Sequence, residues 1–218
     1  MKKIVSFDLD GTLVDAGYGD VVWNHGIPEE YAKRHRMSID EAKDYIINKY
    51  NGVGDGDIRW YEIKYWLKEF DLHVSANELL DRFESHIKPI PHVYEVLDVL
   101  QKKYILIVAS NAARIFVEKE LQHAGLTNYF AHVISATSDY KMVKKRTEFY
   151  TRLCNALRIS PLEMAHIGDH PVFDFDTPLS LGIEAYYFDN PGSVARYQGK
   201  AKNGGNTIYS LKELTGKL

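Results

Sequence analysis

The chain has 218 residues, and 27 Lys and Arg against 30 Asp and Glu leave a formal charge of −3, which argues against nucleic acid as the main partner. Its single cysteine, Cys154, cannot form an internal disulfide, so a reducing compartment is expected. The longest apolar run, residues 104–109, is far too short to cross a bilayer, and Asp8 and Asp10 interrupt any apolar stretch behind Met1-Lys2-Lys3, so a cytoplasmic protein with no membrane partner is expected.

The first element is a short apolar run, Ile4-Val5-Ser6-Phe7, which reads as a strand and ends in Asp8-Leu9-Asp10-Gly11-Thr12-Leu13. Alternate side chains of a strand share a face, so Asp8 and Asp10 start close together. At about 4 Å and an effective dielectric of about 20, two such charges repel by roughly 4 kcal/mol. A fold keeps that pair when a cation neutralises it or when one member stays protonated. The same letters open a calcium loop of the EF-hand type, but that loop needs an entering helix and a Glu at its twelfth position, where this chain has Gly19.

Residues 16–88 show helical periodicity without buried-strand runs. Ser38-Ile39-Asp40-Glu41 and Ser75-Ala76-Asn77-Glu78 match the capping box at helix starts, and Trp60, Ile63, Lys64 and Leu67 follow helical spacing. The glycine-rich stretch Asn51 to Asp57 resembles a phosphate loop only superficially, because it lacks the Gly-Lys-Ser/Thr ending and no strand precedes it; a turn between helices is expected. After Pro89-Ile90-Pro91 the pattern alternates. Strands are expected at 104–109, 133–136, 164–167 and 185–188, with helices at 113–124, 147–157 and 175–181, and a short strand and helix at 207–209 and 211–214. Gly125 and Gly182 stop two of those helices. Residues 190–206 read as a surface loop. This alternation predicts an α/β fold, a doubly wound parallel sheet built from 1–15 and 89–218, with 16–88 as a helical insertion. Ligands bind such sheets at the carboxyl ends of the strands, where Asp8, Ser110 and Asp169 fall.

Four motifs occur in order: Asp-x-Asp-Gly-Thr at Asp8, Ser110-Asn111 after a strand, a lysine ahead of a helix, and Gly168-Asp169 followed by Asp174. Together they resemble the motifs of the haloacid dehalogenase-like (HAD) hydrolase superfamily, from Ile4 to about Asp189. The resemblance implies a Rossmann-like core, with residues 16–88 as the α-helical cap that many members place over the active site. It implies Asp8 as nucleophile and Asp10 as the acid that protonates the leaving oxygen and then activates water. Dehalogenases of the family lack that second aspartate, since a halide leaves without a proton, so Asp10 points to the phosphatase branch.

The same resemblance implies Mg²⁺ held by Asp8, the backbone carbonyl of Asp10 and Asp169, with Asp174 beside the metal, orienting the lysine or a metal-bound water. Thr12, Ser110 and Asn111 would hold the phosphoryl oxygens. Lys141, Lys144 and Lys145 compete for the lysine role, and the family spacing back from Asp169 favours Lys144. The expected partner is a small phosphorylated metabolite. A sugar-phosphate phosphomutase of the same fold and a phospho-acceptor signalling module are the rival readings. His166 is expected to be a buried, hydrogen-bonded strand residue and His170 an exposed loop residue, while Trp23, His25, Arg59 and Trp60 are candidate specificity residues of the insertion.

Overall fold

A computed structural model describes residues 2–190 and 206–218. Six parallel strands form one sheet: β1 (Ile4–Phe7), β2 (Ile105–Ser110), β3 (His132–Ser135), β4 (Met164–Gly168), β5 (Glu184–Phe188) and β6 (Thr207–Ile208), in the order β3-β2-β1-β4-β5-β6. The order reverses at β1, which pairs Ile4 with Ile105 on one side and with Met164 on the other. That switch point lies under Asp8.

The two-residue period sorts each strand onto two buried faces. Val5 and Phe7 of β1, Leu106 and Val108 of β2, and Ala165 and Ile167 of β4 enter one hydrophobic cluster. Ile4, Ile107, Ala109 and Met164 enter the other, with Phe149, Tyr150 and Leu153 of the helix Thr147–Leu157. Burial on both faces is why the central strands read as continuous apolar runs instead of alternating ones.

Between β1 and β2 the chain is helical. Its longer helices are Ile27–His35, Ile39–Val53, Ile63–Glu69 and Ala76–Arg82. Ser38 and Glu41 form the expected capping box, and Ser75 accepts from the Glu78 amide. Tyr50 packs edge-on to Trp66 at 4.7 Å and beside Trp60 and Trp23. The apolar cluster of this segment runs without a break into one face of the sheet, through Leu79, Leu80, Phe116 and Val117.

The sequence boundaries hold closely for the helices Arg114–His123 and Thr147–Leu157. The helix expected at 175–181 differs. A wide π-type turn, Pro171–Asp176, precedes the short helix Thr177–Ser180. The cause is local: His170 Nδ1 accepts the amides of Val172 and Phe173, so the turn begins early and Asp174 faces inward. A short helix, Ala136–Tyr140, follows β3 where the sequence suggested none. Of the expected loop at 190–206, residues 191–205 lie outside the described residues. Among the described residues, no helix is long and apolar enough to cross a membrane.

Candidate active site

Asp8 stands one residue beyond the end of β1, and its amide donates to the Ile167 carbonyl of β4 at 2.8 Å. Behind it a tight turn closes, in which the Leu9 carbonyl accepts the amides of Thr12, Leu13 and Val14. Gly11 makes that turn possible. Its φ is +80°, and a Cβ there would lie 2.2 Å from Asp169 Oδ2. Gly168 is the second close approach, since a Cβ there would lie 2.4 Å from the Asp174 side chain. Both glycines are thus required by the carboxylates packed against them.

The lysine at this centre is Lys145, not Lys144. Lys145 is 1% exposed, and its Nζ donates to Asp8 Oδ1 at 2.5 Å and to the Ala109 carbonyl at 3.0 Å, while pairing with Asp174 Oδ1 at 2.5 Å. Lys144 turns the other way and reaches the helical insertion, where its Nζ lies 2.9 Å from Asp55 Oδ2. The physical reason is the backbone at Lys144, whose φ is +64°. One left-handed residue redirects the chain, so that of two adjacent lysines the second points inward. The glycine-rich stretch 51–57 therefore contributes an ion-pair partner instead of a phosphate loop.

Asp174 has both oxygens engaged. Oδ1 meets Lys145 and, at 3.1 Å, His166 Nε2, and Oδ2 accepts the His170 amide at 3.2 Å. His166 Nδ1 in turn lies 3.0 Å from Ser6 Oγ, and the Tyr150 hydroxyl donates to the Phe173 carbonyl at 2.8 Å. His166 is the buried, hydrogen-bonded residue expected, and Asp174 is arranged to hold the lysine and the histidine. Burial pushes the Asp174 carboxyl up, but Lys145 and His166 outweigh it and hold it well below the ordinary carboxylate range.

Ser110 ends β2, and its Oγ accepts the Ala112 amide at 3.0 Å. With Asn111, Asp8, Asp10, Asp169 and Lys145 it lines a cleft of about 310 Å³. Trp23 and Trp60 line the same cleft from the helical segment, whereas His25 and Arg59 do not; Arg59 is paired with Asp57 at 2.7 Å. His170 borders the cleft and is half-buried instead of exposed, with burial lowering its imidazole. Thr12 departs from expectation. It is fully buried, its amide is spent on Leu9, and it does not line the cleft.

Ligand oxygens of Asp8, Asp169 and Asp174 lie within 4.8 Å of one another, and the Asp10 side chain is outside that cluster. Burial, partly opposed by Lys145 and reinforced by Asp174 and Asp10, pushes the Asp8 carboxyl up to about 7. Burial and the charges of Asp8 and Asp174 push Asp169 up to about 9. Asp169 Oδ2 is buried with no hydrogen-bond partner among the described residues. One lysine cannot neutralise three buried carboxylates, and an all-oxygen donor set with an orphaned oxygen fits a hard divalent cation such as Mg²⁺.

A family model described as haloacid dehalogenase-like hydrolase matches residues 2–182. The chain belongs to that family. Among its relatives, the GMP/IMP nucleotidase YrfG of Escherichia coli is 27% identical over 133 residues, which are 60% of this chain and 58% of that protein. The glyceraldehyde 3-phosphate phosphatase of Pyrococcus furiosus is 25% identical over 202 residues, 85% of this chain and 80% of that one. A solved HAD phosphatase from Thermococcus onnurineus has the same fold, with a TM-score of 0.83 at 23% identity over 100% of this chain and 97% of that one. Solved dehalogenases share the fold at lower scores, among them one from Pseudomonas syringae with a TM-score of 0.64 at 19% identity, covering 99% of this chain and 97% of that one. Fold alone thus does not separate the phosphatases of this family from its dehalogenases.

The raised carboxyls make stability depend on pH in a direction set by linkage. Above about pH 6.5, where the lowered imidazoles of His166 and His170 are neutral in both states, and up to about pH 9, the folded state binds protons at Asp8 and Asp169 that the unfolded chain has released, so stability falls as pH rises. In chelator the melting temperature is expected to be higher at pH 6 than at pH 9, and added Mg²⁺ should raise it more at pH 9. A melting temperature in chelator that climbs from pH 6 to 9 would contradict the unneutralised cluster.

Proposed function

We propose that the protein is a Mg²⁺-dependent phosphatase that hydrolyses a small phosphate monoester through an aspartyl-phosphate on Asp8. The observation that carries this reading is the placing of Asp10 beside Asp8 in the cleft wall, with the Lys145–Asp174 pair behind. The substrates for which the relatives are named, GMP and IMP and glyceraldehyde 3-phosphate, support a phosphomonoester of metabolic size. The cleft wall supplied by Trp23 and Trp60 supports a substrate pocket over an open phospho-acceptor surface.

In this reading Asp8 and Asp169, with the Asp10 backbone carbonyl, would hold Mg²⁺, which supplies charge compensation between carboxylate and phosphate dianion. Lys145 favours the ionised form of Asp8 against burial and orients its carboxylate for attack on phosphorus. Asp174 holds Lys145 in place. Ser110 and Asn111 position the phosphoryl oxygens. Asp10 delivers a proton to the leaving alkoxide and, once the alcohol has gone, takes a proton from the water that attacks the acyl phosphate. Residues 16–88 act as the cap, which closes the cleft and selects the leaving group.

Hydrolysis of a panel of phosphorylated metabolites, with Mg²⁺ and with chelator, tests the reading. Equal rates in both would remove the metal from it. The role of Asp10 has its own test. Asp10→Asn should impair alkyl phosphates at least tenfold more than p-nitrophenyl phosphate, whose leaving group is stable unprotonated. Rapid-quench trapping should also find the aspartyl-phosphate longer-lived. Equal losses on both substrates with unchanged dephosphorylation would leave Asp10 without an acid–base role.

A further inference from the structure

Part of the wall that the helical insertion lends to the cleft is held by a single charged contact. Trp60 and Tyr61 line the cleft beside Trp23. They follow closely on the glycine-rich stretch 51–57. That stretch stands clear of its surroundings, since no other part of the chain comes within 4 Å of where a Cβ would lie on Gly52, Gly54 or Gly56. Its hydrogen bonds are internal. The Asp57 amide donates to the Gly54 carbonyl at 3.2 Å, Asp57 Oδ1 accepts the Arg59 amide at 2.9 Å, and the Tyr61 hydroxyl donates to the Asp55 carbonyl at 3.2 Å. Burial and the Asp55 charge push the Tyr61 phenol up to about 12, so it stays a donor at neutral pH.

Other parts of the insertion have firmer ties. Lys119, on the helix Arg114–His123, pairs with Asp81 and with Glu84 at 2.5 Å, and Leu79 and Leu80 share an apolar cluster with Phe116 and Val117. For residues 36–75 the case differs. Among the described residues, one ion pair ties them to the residues around the sheet, Lys144 Nζ to Asp55 Oδ2 at 2.9 Å. Lys144 directly precedes Lys145, whose Nζ holds Asp8. The two Cα atoms are only about 3.8 Å apart. Two neighbouring side chains, sent different ways by the φ of +64° at Lys144, thus hold the nucleophile and the stretch that carries the wall from one point of the backbone. The pair is partly exposed, at 22% and 63%. Such a pair shifts an equilibrium by up to about fivefold. That suits an edge which must admit a substrate and release a product in every turnover.

Resting on the phosphatase reading, we propose that Tyr61 is a specificity-determining residue and that Lys144, acting through Asp55, is the positioning residue that holds it toward the aspartates. With the pair made, Trp60 and Tyr61 present their rings to the leaving group. With it broken, the stretch loses its charged hold and the wall recedes, while Lys145 keeps its own partners. The pair therefore discriminates by leaving group. A flat aryl group gains contact with the rings, whereas a two-carbon acyl group offers them little surface.

The test compares KM for p-nitrophenyl phosphate with KM for acetyl phosphate at saturating Mg²⁺, in the wild-type protein, Lys144→Ala, Asp55→Asn, their double variant, Lys144→Arg and Tyr61→Ala. Lys144→Ala and Asp55→Asn should each raise the ratio of the first KM to the second about threefold, with kcat moving less than KM. The double variant should do no more than either single one, and Lys144→Arg should keep the wild-type ratio. Tyr61→Ala should raise the ratio at least as far. Sodium chloride at about 1 M, where the Debye length is about 3 Å, should raise the wild-type ratio by the same factor and leave that of Asp55→Asn unmoved. This salt arm needs no variant to fold. A ratio moved less than twofold by Lys144→Ala and Asp55→Asn overturns the proposal. So does a loss in Lys144→Ala that Asp55→Asn does not share, which would put Lys144 on the substrate itself. If neither monoester is hydrolysed, the phosphatase reading fails on its own, and acrylamide quenching of tryptophan emission decides on the tether. Trp66 is 1% exposed, so the quenchable emission comes from Trp23 and Trp60. A Stern–Volmer constant higher than wild type in both Lys144→Ala and Asp55→Asn, with Lys144→Arg at the wild-type value, sustains the tether, and any other pattern removes it.

Discussion

Asp8→Asn should lower turnover by at least about 10³-fold while leaving the fold intact. The side chains are nearly isosteric, so packing under the cleft is preserved. Only the anionic oxygen that attacks phosphorus is lost. Lys145 loses one partner at 2.5 Å but keeps Asp174 at 2.5 Å and the Ala109 carbonyl at 3.0 Å. The change also removes one of three crowded carboxyls, the one burial pushes up to about 7. In chelator at pH 8 the variant should therefore melt no lower than the wild-type protein. Single-turnover assays with acid quench should find no phosphorylated protein. Turnover above about 1% of wild type, or a labelled aspartate other than Asp8, would displace Asp8 as nucleophile.

Those parts of the site fixed by one strand end were legible in the sequence. Asp8, Asp10 and Ser110 follow runs whose apolar character demands burial on both sheet faces, so their places at the carboxyl edge follow from the strand pattern alone. Asp169 follows for the same reason. Residues set by a single backbone angle were not legible. Lys144 and Lys145 are chemically identical neighbours, and the left-handed φ at Lys144 decides which one enters the core. Thr12 belongs to the motif, yet the turn that presents Asp8 and Asp10 consumes its amide and buries its hydroxyl. Glu120, on the helix Arg114–His123, and Tyr150 sit on helices where periodicity marks a buried face but carries no sign that Glu120 lines the cleft or that the Tyr150 hydroxyl holds the Phe173 carbonyl. An acid at a buried helical position, three and four residues from Val117 and Phe116, is the one signal that could have singled out Glu120. The polar chain from Ser6 through His166 to Asp174 was half legible. His166 in an apolar strand demanded a partner, but its partner's identity depends on the wide turn at Pro171–Asp176.

The adjacent lysines offer a sharp contrast in one pair of variants. Lys145→Ala leaves the facing oxygens of Asp8 and Ala109 without their lysine donor, and Asp174 Oδ1 with His166 in its place, in a site 1% exposed. Breaking a buried pair from one side costs about 3–5 kcal/mol, because the partner charge stays buried and uncompensated. For a chain of this size each kcal/mol moves the melting temperature by roughly 2–4 °C, so a fall of about 10 °C is expected. Activity should fall with it even at temperatures where the variant is folded, since Asp8 then loses the cation that favours its ionised form. Lys145→Arg should not restore it, because a planar guanidinium is bulkier than the slot between two carboxylates and a carbonyl. Lys144→Ala breaks only the pair with Asp55, whose side chain is 63% exposed. Such pairs contribute about 0–1 kcal/mol, so the melting temperature should move by no more than about 4 °C and turnover should stay within about tenfold of wild type. Thermal melts and steady-state rates on the three variants decide the matter. If Lys144→Ala abolishes turnover while Lys145→Ala spares it, the lysine that serves Asp8 is Lys144, and the left-handed backbone at that residue does not turn its side chain away from the site.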